Sequence, residues 1–295
     1  MKRIPLLSFL LVICSIFIVQ TAMAAITWKD ISSDGKYGKM FAPATIKKLE
    51  ETNGVATRIR ATIKTTYDAE AAVETIANYE IGNVLTDPSQ LAYSIAEVEV
   101  SPQHRTVTYV SEQFFDVNDK VIWSKIYDPR TEKEINSMSF EEDYYTSIID
   151  AVFYQGEAAR CKAQDRWISL WQITNPDGTS TSVMADTSTM RQRGEDSLIY
   201  WEWQEQKDVL GQVKEIKFVK KVLNLTQNSQ KILKGRIWTA EQGWQEITAA
   251  GAYEKISPKG PAAGGLQRMK AYKKGYQYWL NRYRTDKKVE LPAAK

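Results

Sequence analysis

Residues 28–42 read WKDISSDGKYGKMFA, and residues 171–185 read WQITNPDGTSTSVMA. Laid over one another without gaps at a shift of 143 residues, Trp28 falls on Trp171, Asp34-Gly35 on Asp177-Gly178, and Met40-Phe41-Ala42 on Val183-Met184-Ala185. The same shift sets the apolar stretch 55–63 against 198–206. Self-similarity at a fixed spacing is the mark of an internal repeat. Further along, Glu134-Ile135 meets Lys255-Ile256 at a shift of 121, so the first copy holds about 22 extra residues. Residues 68–79, rich in Ala and Glu with Ala69, Val73 and Ile76 at helical spacing, read as that insertion, a short helix.

Around the insertion the pattern is strand-like. Arg58 and Arg60 alternate with their neighbours, Glu97 and Glu99 alternate with Val98 and Val100, and residues 106–109 continue the series. Ser101-Pro102-Gln103-His104 forms a hairpin turn, with residues 224–228 in the equivalent place of the second copy. Asn118-Asp119-Lys120 and Gln242-Gly243 make a second matching pair of turns. Each copy then closes on a helix. Ser139-Phe140-Glu141-Glu142 spells a capping box, and the acidic residues 141–143 suit the positive end of a helix dipole. Tyr145, Ile149 and Val152 give that helix an apolar stripe, which Tyr272, Tyr276, Trp279 and Tyr283 repeat in the second copy. The expectation is an α+β chain of two tandem repeats, each an antiparallel sheet of about five or six strands followed by a C-terminal helix packed on it. The repeats occupy residues 25–154 and 166–295, joined by a short polar linker at 155–165.

The first 24 residues have a different character. Lys2 and Arg3 form a basic head, residues 6–19 an apolar run, and Ala22-Met23-Ala24 the small residues of a signal-peptidase site. The run falls short of the roughly 20 residues that span a bilayer. An exported protein is expected, with its mature chain starting at Ala25 in the periplasm or at the cell surface. Cys14 follows the bulky Leu11-Val12-Ile13, so no lipid anchor is expected.

At 43% hydrophobic and 25% charged, the 295 residues are neither a disordered chain, a collagen nor a disulfide-dense mini-protein. Charge is segregated: residues 25–150 carry 13 basic and 21 acidic groups, while residues 151–295 carry 24 and 15. That asymmetry permits docking of the halves, head-to-tail association, or attraction of the basic half to an anionic surface. Cys161, left alone once the signal is removed, cannot form an intramolecular disulfide and reads as a small buried apolar residue.

Catalytic constellations are sparse. His104, the only histidine, stands in a turn, which excludes a multi-histidine zinc site, and no metal or other cofactor is expected. Glu141, Glu142 and Asp143 are the densest carboxylates available for glycoside chemistry, yet their place in a first helical turn already gives them a structural task. Gly264-Gly265 and Pro258-Lys259-Gly260 are glycine-containing turns without the spacing of a phosphate-binding loop. The most distinctive segment is 268–288. At about 100° per residue, Lys270, Lys273, Lys274, Gln277, Asn281 and Arg284 fall on one polar stripe. Of these, Lys270, Lys273, Lys274, Gln277 and Arg284 are the candidate binding residues, for a protein or for an anionic envelope polymer or lipid headgroup, with peripheral membrane contact. Nucleic acid is not an expected partner after export. Tyr200, Trp201, Trp203, Trp238 and Trp244 form a second aromatic concentration in which strand alternation makes at least one set core, the remainder being available as a saccharide platform.

An exported α+β unit that begins at Trp28 and again at Trp171, carries the 55–63 strand pattern and the turns at 118–120 and 242–243, and ends in a helix resembles the surface-adhesin protein E family of bacteria. The resemblance implies an envelope protein with an antiparallel sheet and a packed helix, binding host matrix proteins at the cell surface. The chain departs from that family in being tandem and in lacking paired cysteines, and no binding residue is carried across. The leading expectation is a non-enzymatic, adhesin-like binding module; the alternatives are an envelope glycan-acting enzyme and a structural component of an envelope assembly.

Overall fold

The computed structural model describes residues 26–137 and 139–286; the stretch 1–24, expected to be an export signal, lies outside the described residues. The fold is α+β, with two antiparallel sheets and, among the described residues, five α-helices. Two compact units result. One comprises the chain up to Leu49 with Arg58–Val100 and Val107–Lys133, the other Glu50–Thr57, Ser101–Thr106 and everything from Glu134 onward.

The first sheet is an up-and-down meander of β1 (Lys29–Ser33), β2 (Tyr37–Thr52), β3 (Val55–Tyr67), β4 (Leu91–Ser101), β5 (Thr106–Asp116) and β6 (Val121–Ile126), with the short β7 (Glu132–Glu134) returning to pair with β5. In the second sheet, β8 (Trp167–Thr174), β9 (Ser180–Arg193), β10 (Ser197–Lys207), β11 (Val213–Asn224), β12 (Ser229–Thr239) and β13 (Gly243–Ile247) repeat the meander, and β14 (Glu254–Lys255) returns to β12. Each sheet thus has seven strands where five or six were expected. The wiring of the two sheets is the same, seventh strand on fifth. Ile135 donates its N–H to Arg105 O at 2.8 Å, and Ile256 donates to Asn228 O at 2.9 Å, which makes the pairing of 134–135 with 255–256 a structural equivalence. One part of the sequence match does not carry over: Trp28 precedes the register shift in β1, whereas Trp171 follows the corresponding shift in β8. The hairpin loops differ in length, 34–36 against 175–179, so an ungapped alignment slides the two tryptophans out of register.

In the first unit, α1 (Ala69–Asn78) is the expected insertion, started by Asp68, whose carboxylate accepts the Ala71 N–H at 2.8 Å. Its buried face is Ala71, Ala72, Thr75 and Ile76, not the Ala69–Val73 edge that spacing alone picked out; Val73 is 53% exposed. Ala72 and Ile76 pack with Ile81, Leu85, Leu91 and Phe114.

In the second unit, α2 (Glu142–Phe153) buries Tyr144, Tyr145, Ile148, Ile149 and Phe153. This helix, expected to close the first repeat, belongs to the second unit. Its capping box does not form: no side chain caps the first turn, and Glu142 instead pairs with Arg105 and Arg166. Two guanidinium partners hold a carboxylate more strongly than one backbone N–H. The stretch 155–165, read as a linker, contains α3 (Glu157–Lys162), and Glu157 is fully buried.

α4 (Ala262–Gly275) and α5 (Gln277–Asn281) replace the single helix expected over 268–288, because the chain breaks at Tyr276 (φ −122°, ψ 34°). Tyr276 is consequently 48% exposed, while Tyr272 and Tyr283 stay buried. Gly264-Gly265, read as a turn, lies inside α4. A Cβ on Gly265 would meet Trp171 Cδ1 at 3.1 Å and Leu170 Cβ at 3.2 Å, so glycine lets the helix approach β8 closely. The core between α4 and the sheet joins Leu266, Met269 and Tyr272 to Leu170, Val183, Ala185, Leu198, Tyr200 and Leu223.

Gly235 in β12 has φ +154°, and a Cβ there would stand 2.7 Å from Val219 Cα and against Phe218 O, both backbone atoms that cannot yield. Gly235→Ala should therefore cost the second unit about 2–4 kcal/mol. Urea unfolding followed by tryptophan fluorescence measures this, and an unchanged midpoint contradicts the close approach.

Candidate functional site

The second unit is organised around a wide bulge in β9. Ile199 pairs with Arg191 and Trp201 with Asp186, so residues 187–190 stand opposite the single residue Tyr200. In an uninterrupted ladder, Asp186 would share its face with residues 188, 190 and 192. The bulge changes the phase, and Arg191 and Arg193 instead join Asp186 on the face of Ile199 and Trp201, away from α4.

A bulge frees backbone groups, and side chains take up several of them. Asp186 accepts from Ser188 N at 2.9 Å and Ser188 Oγ at 2.7 Å, and Thr189 Oγ accepts the Trp201 N–H at 3.0 Å. The Trp279 indole donates to Thr187 O at 3.0 Å, and Arg282 donates to Ser188 O at 3.0 Å and Met190 O at 3.3 Å. Arg282 is 1% exposed, and its charge is met by Glu157, 0% exposed, which also accepts from Tyr283 Oη at 2.8 Å.

From Glu157 the charges alternate outward. Arg191 lies 3.6 Å and Arg105 3.8 Å from its carboxylate; Arg105 pairs with Glu142, Glu142 with Arg166, and Arg166 with Asp186. Burial pushes the Glu157 carboxyl up, but Arg282, Arg191 and Arg105 outweigh it and bring it down to about 2. Burial, reinforced by the Arg191 cation, brings Arg282 down to about 10, and it stays charged at neutral pH. At Asp186 burial is likewise overcome by Arg166, leaving the carboxyl below its ordinary value. Burial pushes the Cys161 thiol up, which keeps this half-buried cysteine protonated.

Against this network opens a cavity of about 280 Å³, lined by Arg105, Arg191, Arg193 and Lys220 as cations and by Glu134 as the one carboxylate, with Ile199 and Trp201 as apolar wall. Glu134 is already engaged, accepting from Lys220 at 2.7 Å and the Trp201 indole at 3.2 Å and pairing with Lys234. Arg105 NH1 and Arg191 NH2 are buried beside Glu157, at 3.8 and 3.6 Å, whereas Arg193 is exposed on the cavity wall. A guanidinium edge matches the paired oxygens of a carboxylate or phosphate. The cavity thus has the donors and the charge to hold an anion. Exposed His104 stands at its rim.

The residues picked out along 268–288 do not assemble into one basic stripe. The break at Tyr276 separates Lys270, Lys273 and Lys274 from Gln277 and Arg284. Lys270 donates to Asn228 Oδ1 at 2.9 Å, Lys273 to Glu195 O, Gln277 to Gln192 Oε1 at 2.7 Å, and Arg284 to Asp286 and Asn281. Lys274 is exposed. Among the described residues, no group of three or more His, Cys, Asp or Glu converges as a metal site, and no helix is long and apolar enough to cross a membrane. Sequence reasoning missed Arg105, Arg191, Arg193 and Glu157. The Arg191-Gln192-Arg193 alternation was the available signal; nothing marked Glu157 as buried.

The low value at Glu157 sets a pH dependence. Its carboxyl falls from the ordinary 4.5 to about 2 on folding, so its contribution is complete above pH 4.5 and is lost as pH falls toward 2. That contribution is on the order of 3 kcal/mol. Glu157→Gln, which strands Arg282, should cost about 3–5 kcal/mol at pH 7 and flatten the acid limb. Urea midpoints measured from pH 7 to pH 2 test both, and a variant that keeps the wild-type acid limb refutes the assignment. No protein-family model and no curated protein matches this chain.

Proposed function

We propose that the chain is an exported bacterial envelope protein that acts by binding, and that the arginine-walled cavity of its second unit receives an anionic group. The observation that carries this reading is the excess of cations on the cavity wall, Arg105, Arg191, Arg193 and Lys220 against the one carboxylate of Glu134, which two lysines already hold, with Arg193 exposed. Binding is favoured over catalysis because the carboxylates around the cavity are committed to ion pairs and the Cys161 thiol is kept protonated. The identical wiring of the two sheets supports descent from one duplicated module. With the likeness to surface-adhesin protein E, it favours a partner at the envelope, either a protein or an anionic polymer.

Titration calorimetry with inorganic phosphate and with citrate tests the site. The wild-type protein binds, and Arg193→Ala, which removes an exposed cavity cation, weakens binding about tenfold or more. Lys274→Glu, on the helix outside the cavity, leaves it unchanged. Loss with Lys274→Glu and none with Arg193→Ala would move the site to the C-terminal helices. Export is tested by fractionation: mature protein recovered outside the cytoplasm should begin at Ala25.

A further inference from the structure

From Trp201 in the cavity wall an aromatic row runs along the same face of the second sheet, buried at Trp201 and Phe218 and exposed at Trp244. Trp201, in the cavity wall, and Trp203 lie two residues apart on β10 and therefore point the same way. Register carries the row across the sheet: Trp203 faces Phe218, Phe218 faces Arg236, and Trp238 faces Trp244. Trp201 stacks on Phe218 at 4.6 Å, and Trp203 reaches Trp244 at 6.4 Å. Arg236 lies over both Phe218 and Trp244, at 5.7 and 4.3 Å from the ring centres, and its Nε makes no hydrogen bond. Trp244, on the edge strand β13, is 41% exposed.

We propose that cavity and aromatic row form one extended site for an anionic saccharide, an oligosaccharide bearing carboxylate or phosphate groups. The proposal rests on the cavity's being an anion site. An exposed indole offers a flat apolar face matching the C–H face of a sugar ring. Arg236, whose guanidinium lies 4.3 Å from the centre of that indole, holds the ring in place and adds positive charge beside it. From β10 to β13 is three strand spacings, about 14 Å, a span that a single sugar does not cover and a short chain does. The acidic substituent enters among Arg105, Arg191 and Arg193, while a neighbouring ring stacks on Trp244. The charge of the cavity selects an acidic sugar over a neutral one, and the aromatic row selects a sugar over a bare anion.

The test compares three probes by calorimetry: inorganic phosphate, a neutral cello-oligosaccharide and an oligogalacturonate of matching length. The oligogalacturonate should bind at least tenfold more tightly than either. Trp244→Ala should remove that advantage while leaving phosphate binding unchanged, and Trp244→Phe should restore part of it. Arg193→Ala should weaken phosphate and oligogalacturonate together. If phosphate binds but the acidic oligosaccharide gains nothing over it, the extended site is overturned and the anion cavity stands. If the neutral sugar binds as well as the acidic one, the coupling of the two parts is overturned. If nothing binds, the anion cavity falls, and this inference with it.

Discussion

The buried pair of Glu157 and Arg282 is the constraint on which the second unit turns. Removing two such charges from water costs several kcal/mol per ion, and a single contact between them does not ordinarily recover it. Here the recovery is distributed. Arg282 gives hydrogen bonds to the carbonyls of Ser188 and Met190 in addition to Glu157, and Glu157 accepts from Tyr283 and is approached by Arg191 and Arg105. Many buried ion pairs can be exchanged for apolar residues at little cost. This one resists that exchange, because an apolar replacement would leave the carbonyls of the β9 bulge without donors inside the protein.

The bulge is in turn what makes the cavity cationic. Without it, Arg191 and Arg193 would lie on the sheet face covered by α4, among Leu198, Tyr200 and Leu223, where neither charge has room or partner. With it, they turn to the opposite face beside Trp201 and Lys220. The ion-pair network thus acts at two removes: Glu157 fixes Arg282, Arg282 holds the bulge, and the bulge aims the arginines. Within the network Arg105 NH1 and Arg191 NH2 turn toward Glu157, at 3.8 and 3.6 Å, and Arg193 is left exposed on the cavity wall. A cation already positioned by the sheet meets an incoming anion with little reorganisation.

Local signals were legible in the sequence, and signals that depend on a partner far along the chain were not. The short helix within 68–79, the hairpin turns at 101–104 and 224–228, and the 134–135 and 255–256 equivalence depend on residues close together or on direct self-similarity, and they stand in the structure where spacing placed them. The capping box failed because Glu142 is drawn to Arg105 and Arg166, 37 and 24 residues away. The single C-terminal helix failed because Tyr276 breaks it, letting Trp279, Arg282 and Tyr283 turn toward the bulge. Glu157 was hidden for the same reason: in a short polar stretch nothing local distinguishes a solvated glutamate from one that neutralises a guanidinium 125 residues later.

The same hairpin in the two sheets separates scaffold from function. Each fourth-to-fifth strand turn ends on a residue with positive φ, Arg105 at +56° and Asn228 at +49°, and each accepts one N–H from the chain returning as the seventh strand. Backbone geometry therefore asks for the same conformation in both places. Asparagine tolerates the left-handed region; arginine, with its long side chain, has no such preference and carries a conformational cost of about 1 kcal/mol there. That cost persists where a side chain is needed for something else. Asn228 meets the demand of the turn and receives Lys270, while Arg105 reaches Glu142, approaches Glu157 and lines the cavity. The turn conformation serves the fold in both sheets, and in one of them its last residue also joins the charge network.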